Sequence, residues 1–233
     1  MKARIRAWLA LLALATSVSA QEHNTLTPQE VKDGWELLFN GKDLKGWRRY
    51  KKEDTQGWIV KDGTLHLEKP GSGDLITAKK YGDFEFAIDF KFETGNNSGI
   101  IYRCSEDGAA AWHTGPEMQV MPHKPGDKIG KTGGGSLYDM FAPTSNPFKG
   151  PQEWTTFKIV CKGKNLQHYV NGEKVVDVTI GSPEWNETLP KSKWKSYAKF
   201  ATLPEGHIAL QDHGGKLYYR NIKIRVLDGA KKE

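Results

Sequence analysis

Cysteine is scarce: Cys104 and Cys161 are the two thiols in 233 residues. Two cysteines cannot build a structural zinc site of the usual cysteine-rich type. They could pair in an oxidising compartment. Both, however, sit in apolar, strand-like runs, and buried free thiols are the reading taken here. Charge of one sign is also sparse. The net charge is +6, and Lys2, Arg4 and Arg6 supply three of those charges, leaving about +3 for the remainder. The lysines are scattered rather than striped, which leaves no electrostatic footprint for nucleic acid. Long hydrophobic runs are missing. The apolar stretch from Trp8 to Ala15 is too short to span a bilayer as a stable helix. Helical periodicity is nearly absent, and there is no internal repeat, low-complexity tract or linker.

The basic start, the short apolar stretch and the small residues Val18, Ser19 and Ala20 together read as a secretory signal peptide over residues 1–20. No cysteine follows the cleavage site, so no lipoprotein anchor is expected. The expected address is the periplasm or the outside of the cell, without membrane insertion of the mature chain. Residues 21–233 are expected to form one domain.

Period-two alternation fills that domain. Phe84, Phe86, Ile88, Phe90 and Phe92 alternate with Glu85, Asp89 and Lys91, the pattern of a half-buried strand. Asp62-Gly63 and Asn171-Gly172 are hairpin turns between alternating runs. Further strands are expected around Trp35–Phe39, Gly99–Cys104, Phe157–Cys161, Ile208–Gln211 and Leu217–Val226. One short helix is expected from the capping box at Thr27-Pro28-Gln29-Glu30. Residues 182–205 break the rhythm and read as an insertion with room for a short helix. Its Trp185, Trp194 and Tyr197 could line a sugar site or could pin the loop down. The last residues, from Gly229, are expected to fray. The fold class expected is an all-β sandwich or jelly roll.

The chemistry centres on His113 to His123. Met118 and Val120 suit a core, so Glu117 and Gln119 share the opposite face of the strand. A carboxylate beside an amide can grip hydroxyl-rich ligands, and the carboxylate can also move protons. Ile208 and Leu210 set the core parity of a later strand. Gln211 and His213 then fall on its other face, and His213 at the strand end can shuttle a proton. If these two strands lie side by side, Glu117, Gln119 and His213 meet in one pocket. Arg103, near a strand end, could bind an oxyanion or pair with a surface acid. Thr132 to Asp139 reads as a flexible glycine loop ending in Tyr138 and Asp139. It lacks the Gly-Lys-Ser/Thr and the following helix of a phosphate loop. His113 and His123 have no metal-ligand spacing.

Several segments, in order, resemble the 3-keto-disaccharide hydrolase domain family, formerly a domain of unknown function. They are Leu38 to Trp47, Asn97 to Arg103, Glu117-Met118-Gln119, Gly135 to Asp139, Tyr169 to Gly172, Leu210 to Gly214 and Arg220 to Ile222. The chain departs from the family pattern at Met121-Pro122. The resemblance implies a concanavalin A-like jelly-roll sandwich of two antiparallel sheets with one concave face. It implies a secreted hydrolase acting on 3-keto-glycosides or 3-keto-disaccharides, with a small carbohydrate as partner. Glu117 and His213 are the catalytic residues it points to. Arg103, Gln119, Tyr138, Asp139, Gln211 and Asp212 would contact substrate.

Related sandwich glucanases carry a Glu-x-Asp-x-Glu strand, whereas Glu117, Gln119 and Met121 stand here. Glutamine and methionine cannot serve as the second acid, so ordinary double displacement by this strand is not expected. A 3-ketone acidifies the proton on carbon 2 and opens a route by elimination followed by hydration. That route needs a base, an acid for the leaving oxygen and a donor or cation for the enolate, roles given to His213, Glu117 and Arg103, with either Glu117 or His213 able to be the base. A divalent metal could replace Arg103 as electrophile. The alternative to an enzyme is a non-catalytic, lectin-like carbohydrate-binding module.

Overall fold

A computed structural model describes residues 22–95 and 97–227 of the chain. The expected signal peptide, residues 1–20, and the expected frayed tail lie outside the described residues. Among the described residues, no helix is long and apolar enough to cross a membrane.

The strands follow in chain order. They are β1 (Trp35–Leu37), β2 (Trp47–Arg49), β3 (Trp58–Lys61), β4 (Thr64–Leu67), β5 (Leu75–Thr77), β6 (Phe84–Thr94) and β7 (Ser98–Cys104). Then come β8 (Glu117–Val120), β9 (Thr155–Lys162), β10 (Asn165–Val170), β11 (Glu173–Thr179), β12 (His207–Leu210) and β13 (Lys216–Val226). They form two antiparallel sheets, as an open sandwich rather than a closed barrel. The larger sheet runs β11-β10-β9-β6-β13-β4-β3, with β1 pairing to β13. The smaller runs β2-β5-β12-β7-β8. The chain is a jelly-roll sandwich, as its alternation predicts.

The core follows from the period of β6. Phe84, Phe86, Ile88 and Phe90 are 0–1% exposed and face the other sheet. Phe90 meets Phe157 of β9 edge-on, with ring centroids 4.7 Å apart. From the smaller sheet Ile100, Tyr102, Met118, Val120, Ile208 and Leu210 fill the same core. The two hairpins form as read. Asp62 and Gly63 both take positive φ, 50° and 70°, the geometry of a two-residue turn that matches strand twist. The first helix, α1 (Pro28–Lys32), opens on the expected capping box between Thr27 and Glu30. Cys104 and Cys161 are buried free thiols. Burial pushes the Cys161 thiol up to about 12, which leaves it inert as a nucleophile.

Strand β8 is the edge of the smaller sheet, yet its free side is not open. The loop from Thr132 to Asp139, expected to be flexible, runs along it. The Gln119 N–H donates to Ser136 O at 3.1 Å, and Gly135 N–H donates to Gln119 O at 2.8 Å. Tyr138 N–H donates to Glu117 O at 3.0 Å. Backbone pairing, not glycine content, decides the order of this loop.

Candidate active site

The outer face of the smaller sheet carries the site. A line of registered residues crosses all five strands: Arg48, Ile76, Ala209, Ile101 and Glu117. One step along the strands, Gly99 pairs with Gln119, and Gln211 N–H donates to Gly99 O at 2.9 Å. The middle of this face is built from small and aliphatic residues, with Arg48, paired to Glu106, at its β2 end and Glu117 and Gln119 at its β8 end. Strands β8 and β12 are not neighbours, contrary to the simplest expectation; β7 lies between them. The gap is bridged because β7 contributes a glycine there. The Glu117 carboxyl lies over Gly99, where a Cβ would stand 2.3 Å from Oε1 and 2.9 Å from Cδ.

Glu117 is 3% exposed. Burial raises its carboxyl most, Lys193 draws it down, Asp74 pushes it up again, and the result is about 7. No hydrogen bond from the described residues offsets that burial. A buried carboxyl without a donor is costly to keep and is poised to exchange a proton near neutral pH. Asp74, just before β5, is pushed up to about 6, first by burial. The Asp212 N–H, 3.0 Å from its Oδ1, and nearby His213 work against that rise, while the Asp212 carboxylate adds to it.

A chain of amides links the buried and the exposed parts of the site. Gln119 Nε2 donates to Asn97 Oδ1 at 2.7 Å, and Asn97 Nδ2 donates to His213 Nε2 at 3.3 Å. His213 itself is exposed at the rim. Thus Glu117, Gln119 and His213 are brought to one face, with Asn97 as the connection.

The insertion folds over the β8 end of this face. It contains α2 (Pro183–Thr188) and 3-10 turns at Leu189–Lys191 and Lys193–Ser196. Trp194 stacks on Phe200 with centroids 4.5 Å apart and 3° between planes. Trp185 and Trp194 are buried, so they pin the segment down. Tyr197, half-buried, packs against Trp112 and His113 at 5.3 and 4.6 Å. Trp194 Nε1 donates to Tyr138 O at 2.7 Å, and Lys193 N–H donates to Asp139 Oδ2 at 2.7 Å. The Lys193 ammonium sits 4.2 Å from the ring centroids of Tyr138 and Trp194 and 5.0 Å from that of Trp112.

Other expected contact residues have different employment. Arg103, expected as the enolate cation, is not brought to Glu117. Its guanidinium donates to Gly82 O at 2.9 Å, Gly163 O at 2.7 Å and Asp83 Oδ1 at 2.7 Å. The cause is local: Arg103 has φ +49°, which breaks the alternation of β7 at its end and turns the side chain to the neighbouring loops. Asp139 binds Lys131 at 2.6 Å as well as the Lys193 N–H, so it anchors the insertion. Burial opposes its ionisation, yet these partners hold its carboxyl below the usual range. Asp212 accepts from Gly73 N–H at 2.9 Å and ties two loops together. Gln211 is half-buried in the Gly99 line, and the Tyr138 phenol is raised by burial and by the nearness of Glu117. His123 accepts from Gly134 N–H at 2.9 Å, and His113 lies against Trp112. Among the described residues no three His, Cys, Asp or Glu side chains converge as a metal-ligand set.

Arg103→Met is therefore expected to act on stability, not on sugar affinity. The pair with Asp83 has side chains 6% and 25% exposed, and breaking it should cost about 3 kcal/mol, the low end for a buried pair because Asp83 still reaches water. Denaturant melts should show that loss. An intact melt with a raised KM would instead return Arg103 to the substrate.

Sequence reasoning missed Asp74, Lys193 and Trp112. Asp74 follows Gly71-Ser72-Gly73, a stretch with no period to read. Lys193 stands in a lysine-rich run where any one lysine looks like its neighbours. The adjacency of Lys193 to Trp194 was the one available signal.

The chain is an open two-sheet β-sandwich with a buried carboxyl on one outer face, and its architecture is that of the glycosyl hydrolase-like sandwiches. The chain belongs to the 3-keto-alpha-glucoside-1,2-lyase-like domain family, whose model matches residues 34–225. It is 31% identical to the 3-keto-disaccharide hydrolase of Bacteroides thetaiotaomicron, over 93% of this chain and 87% of that protein. A crystal structure of a candidate glycosyl hydrolase from Parabacteroides distasonis superposes with a TM-score of 0.81 at 33% identity, covering 89% of this chain and 100% of the other. A second such structure from the same organism gives 0.65 at 29% identity, covering 83% and 99%.

Proposed function

We propose that the protein is a glycoside hydrolase that cleaves 3-keto-glycosides or 3-keto-disaccharides by elimination and hydration. The observation that carries this reading is the buried Glu117 carboxyl, raised to about 7, on a strand whose next outward residue is Gln119, with Met121 just past its end. One acid that gains and loses a proton near neutrality suits proton abstraction. It does not suit a mechanism that needs two carboxyl groups on one strand. In the proposed sequence the 3-ketone acidifies the carbon 2 proton, and Glu117 takes it. The carbon 1–oxygen bond breaks, and the leaving oxygen receives a proton from His213 at the rim. Water then adds across the carbon 1–carbon 2 double bond: Glu117 returns its proton to carbon 2, the hydroxide of the water joins carbon 1, and the remaining proton of the water restores His213. The sum is one water consumed and one alcohol released. Gln119 and Asn97 orient His213 and offer amide groups to sugar hydroxyls.

With this function goes an address outside the cytoplasm, residues 1–20 being removed near Ala20. The test is incubation of the purified protein with a 3-keto-glucoside, with and without a chelator. Release of the aglycone and of 3-keto-glucose is expected, and chelator sensitivity would add a metal to the site. Sugar that binds and is recovered uncleaved would point to the lectin-like alternative instead.

A further inference from the structure

We propose that the insertion over residues 182–205 forms a wall of this active site, and that Lys193 is its positioning residue, the fixed cation that keeps Glu117 ready to exchange a proton. The proposal deepens the hydrolase reading and rests on it for its kinetic arm.

Lys193 has an exposed side chain that could extend into water. Instead its ammonium lies 4.2 Å from the Tyr138 and Trp194 ring centroids and 5.0 Å from that of Trp112. Its backbone is locked by the Asp139 carboxylate at 2.7 Å, and Asp139 belongs to the loop whose Tyr138 N–H bonds to Glu117 O at 3.0 Å. The cation is thus held by rigid aromatics and tied to the strand that carries the acid. Three rings with negative faces suit a positive charge. Glu117 feels charges from two elements, Lys193 of the insertion and Asp74 on the β5 side, while the neutral Tyr138 phenol of the adjoining loop is itself raised by Glu117. Asp139 faces Lys193, and His213 faces Asp74. Lys193 is the positive charge acting on Glu117 itself, opposing both burial and Asp74. Without it, the ionised form of Glu117 loses its counter-charge.

The test compares wild type with K193M and K193R by carbon NMR of proteins labelled at the glutamate carboxyl, titrated without sugar. The Glu117 signal is assigned by its loss in E117Q. In K193M it should titrate higher by about half a pH unit or more, and K193R should restore most of that shift. The acid limb of kcat/KM on a 3-keto-glucoside should move the same way. If K193M does not fold, K193Q gives the same comparison. An unmoved Glu117 titration in a folded, charge-free variant overturns the proposal, even if turnover falls. Should wild type cleave no 3-keto-glucoside, the hydrolase reading fails, and the titration still decides whether Lys193 holds Glu117.

Discussion

Replacing Glu117 with glutamine should abolish turnover of a 3-keto-glycoside and at the same time make the folded protein more stable at pH 8. The two effects have one cause. The carboxyl is 3% exposed, without a hydrogen-bond donor among the described residues, and raised to about 7 from an ordinary 4.5. Between those values the folded chain binds a proton that the unfolded chain has lost. Stability therefore falls as pH rises from about 4.5 to about 7, and stays lowered above that. The cost at pH 8 is up to about 3 kcal/mol. Glutamine has the same shape, keeps hydrogen-bonding capacity and carries no charge to bury. Denaturant unfolding should show E117Q equal to wild type at pH 4 and more stable at pH 8. Activity should drop by about 10²-fold or more, since a positioned acid or base contributes roughly 10²–10⁴-fold. Full turnover in E117Q, or a stability gain that does not depend on pH, would remove Glu117 from the chemistry.

Gly99→Ala is expected to silence the protein nearly as well, without touching an ionisable group. Gly99 lies within β7 and has no left-handed backbone, so alanine meets no conformational strain there. What it meets is the Glu117 side chain: 2.3 Å to Oε1, 2.9 Å to Cδ and 3.0 Å to Cγ. The carboxyl must swing off the face. Displacement of a catalytic group by about 1 Å can cost 10²-fold, and that is the loss expected in kcat/KM. Melting temperature should fall little, because the strand keeps its pairs to β8 and β12. A G99A protein with normal turnover would mean that the carboxyl works from elsewhere.

Much of the fold was legible because it rests on period and turn chemistry. The phenylalanines of β6 could bury only one face, and Asp62-Gly63 and Asn171-Gly172 could make only tight turns. The facing of Glu117 and Gln119 followed from Met118 and Val120 by parity alone. Strand order was not legible, since no local pattern says that β7 separates β8 from β12. Hence Gly99 passed as an ordinary strand glycine, though it is the space in which Glu117 lies. Arg103 misled because its left-handed backbone overrode the alternation of its strand and turned its guanidinium to Gly82, Gly163 and Asp83. Lys193 and Asp74 gain their meaning only from what the tertiary fold sets opposite them.

The loop along β8 also closes the edge of its sheet. An unpaired edge strand is a template on which a second copy of a chain can add itself. Here the edge that bears Glu117 is already taken by the backbone of Gly135, Ser136 and Tyr138. That backbone is held in turn by Trp194 on Tyr138 and by Lys131 and Lys193 on Asp139. The loop from Thr132 to Asp139 thus also guards against self-assembly: loosening it would free a β-edge to recruit its own kind.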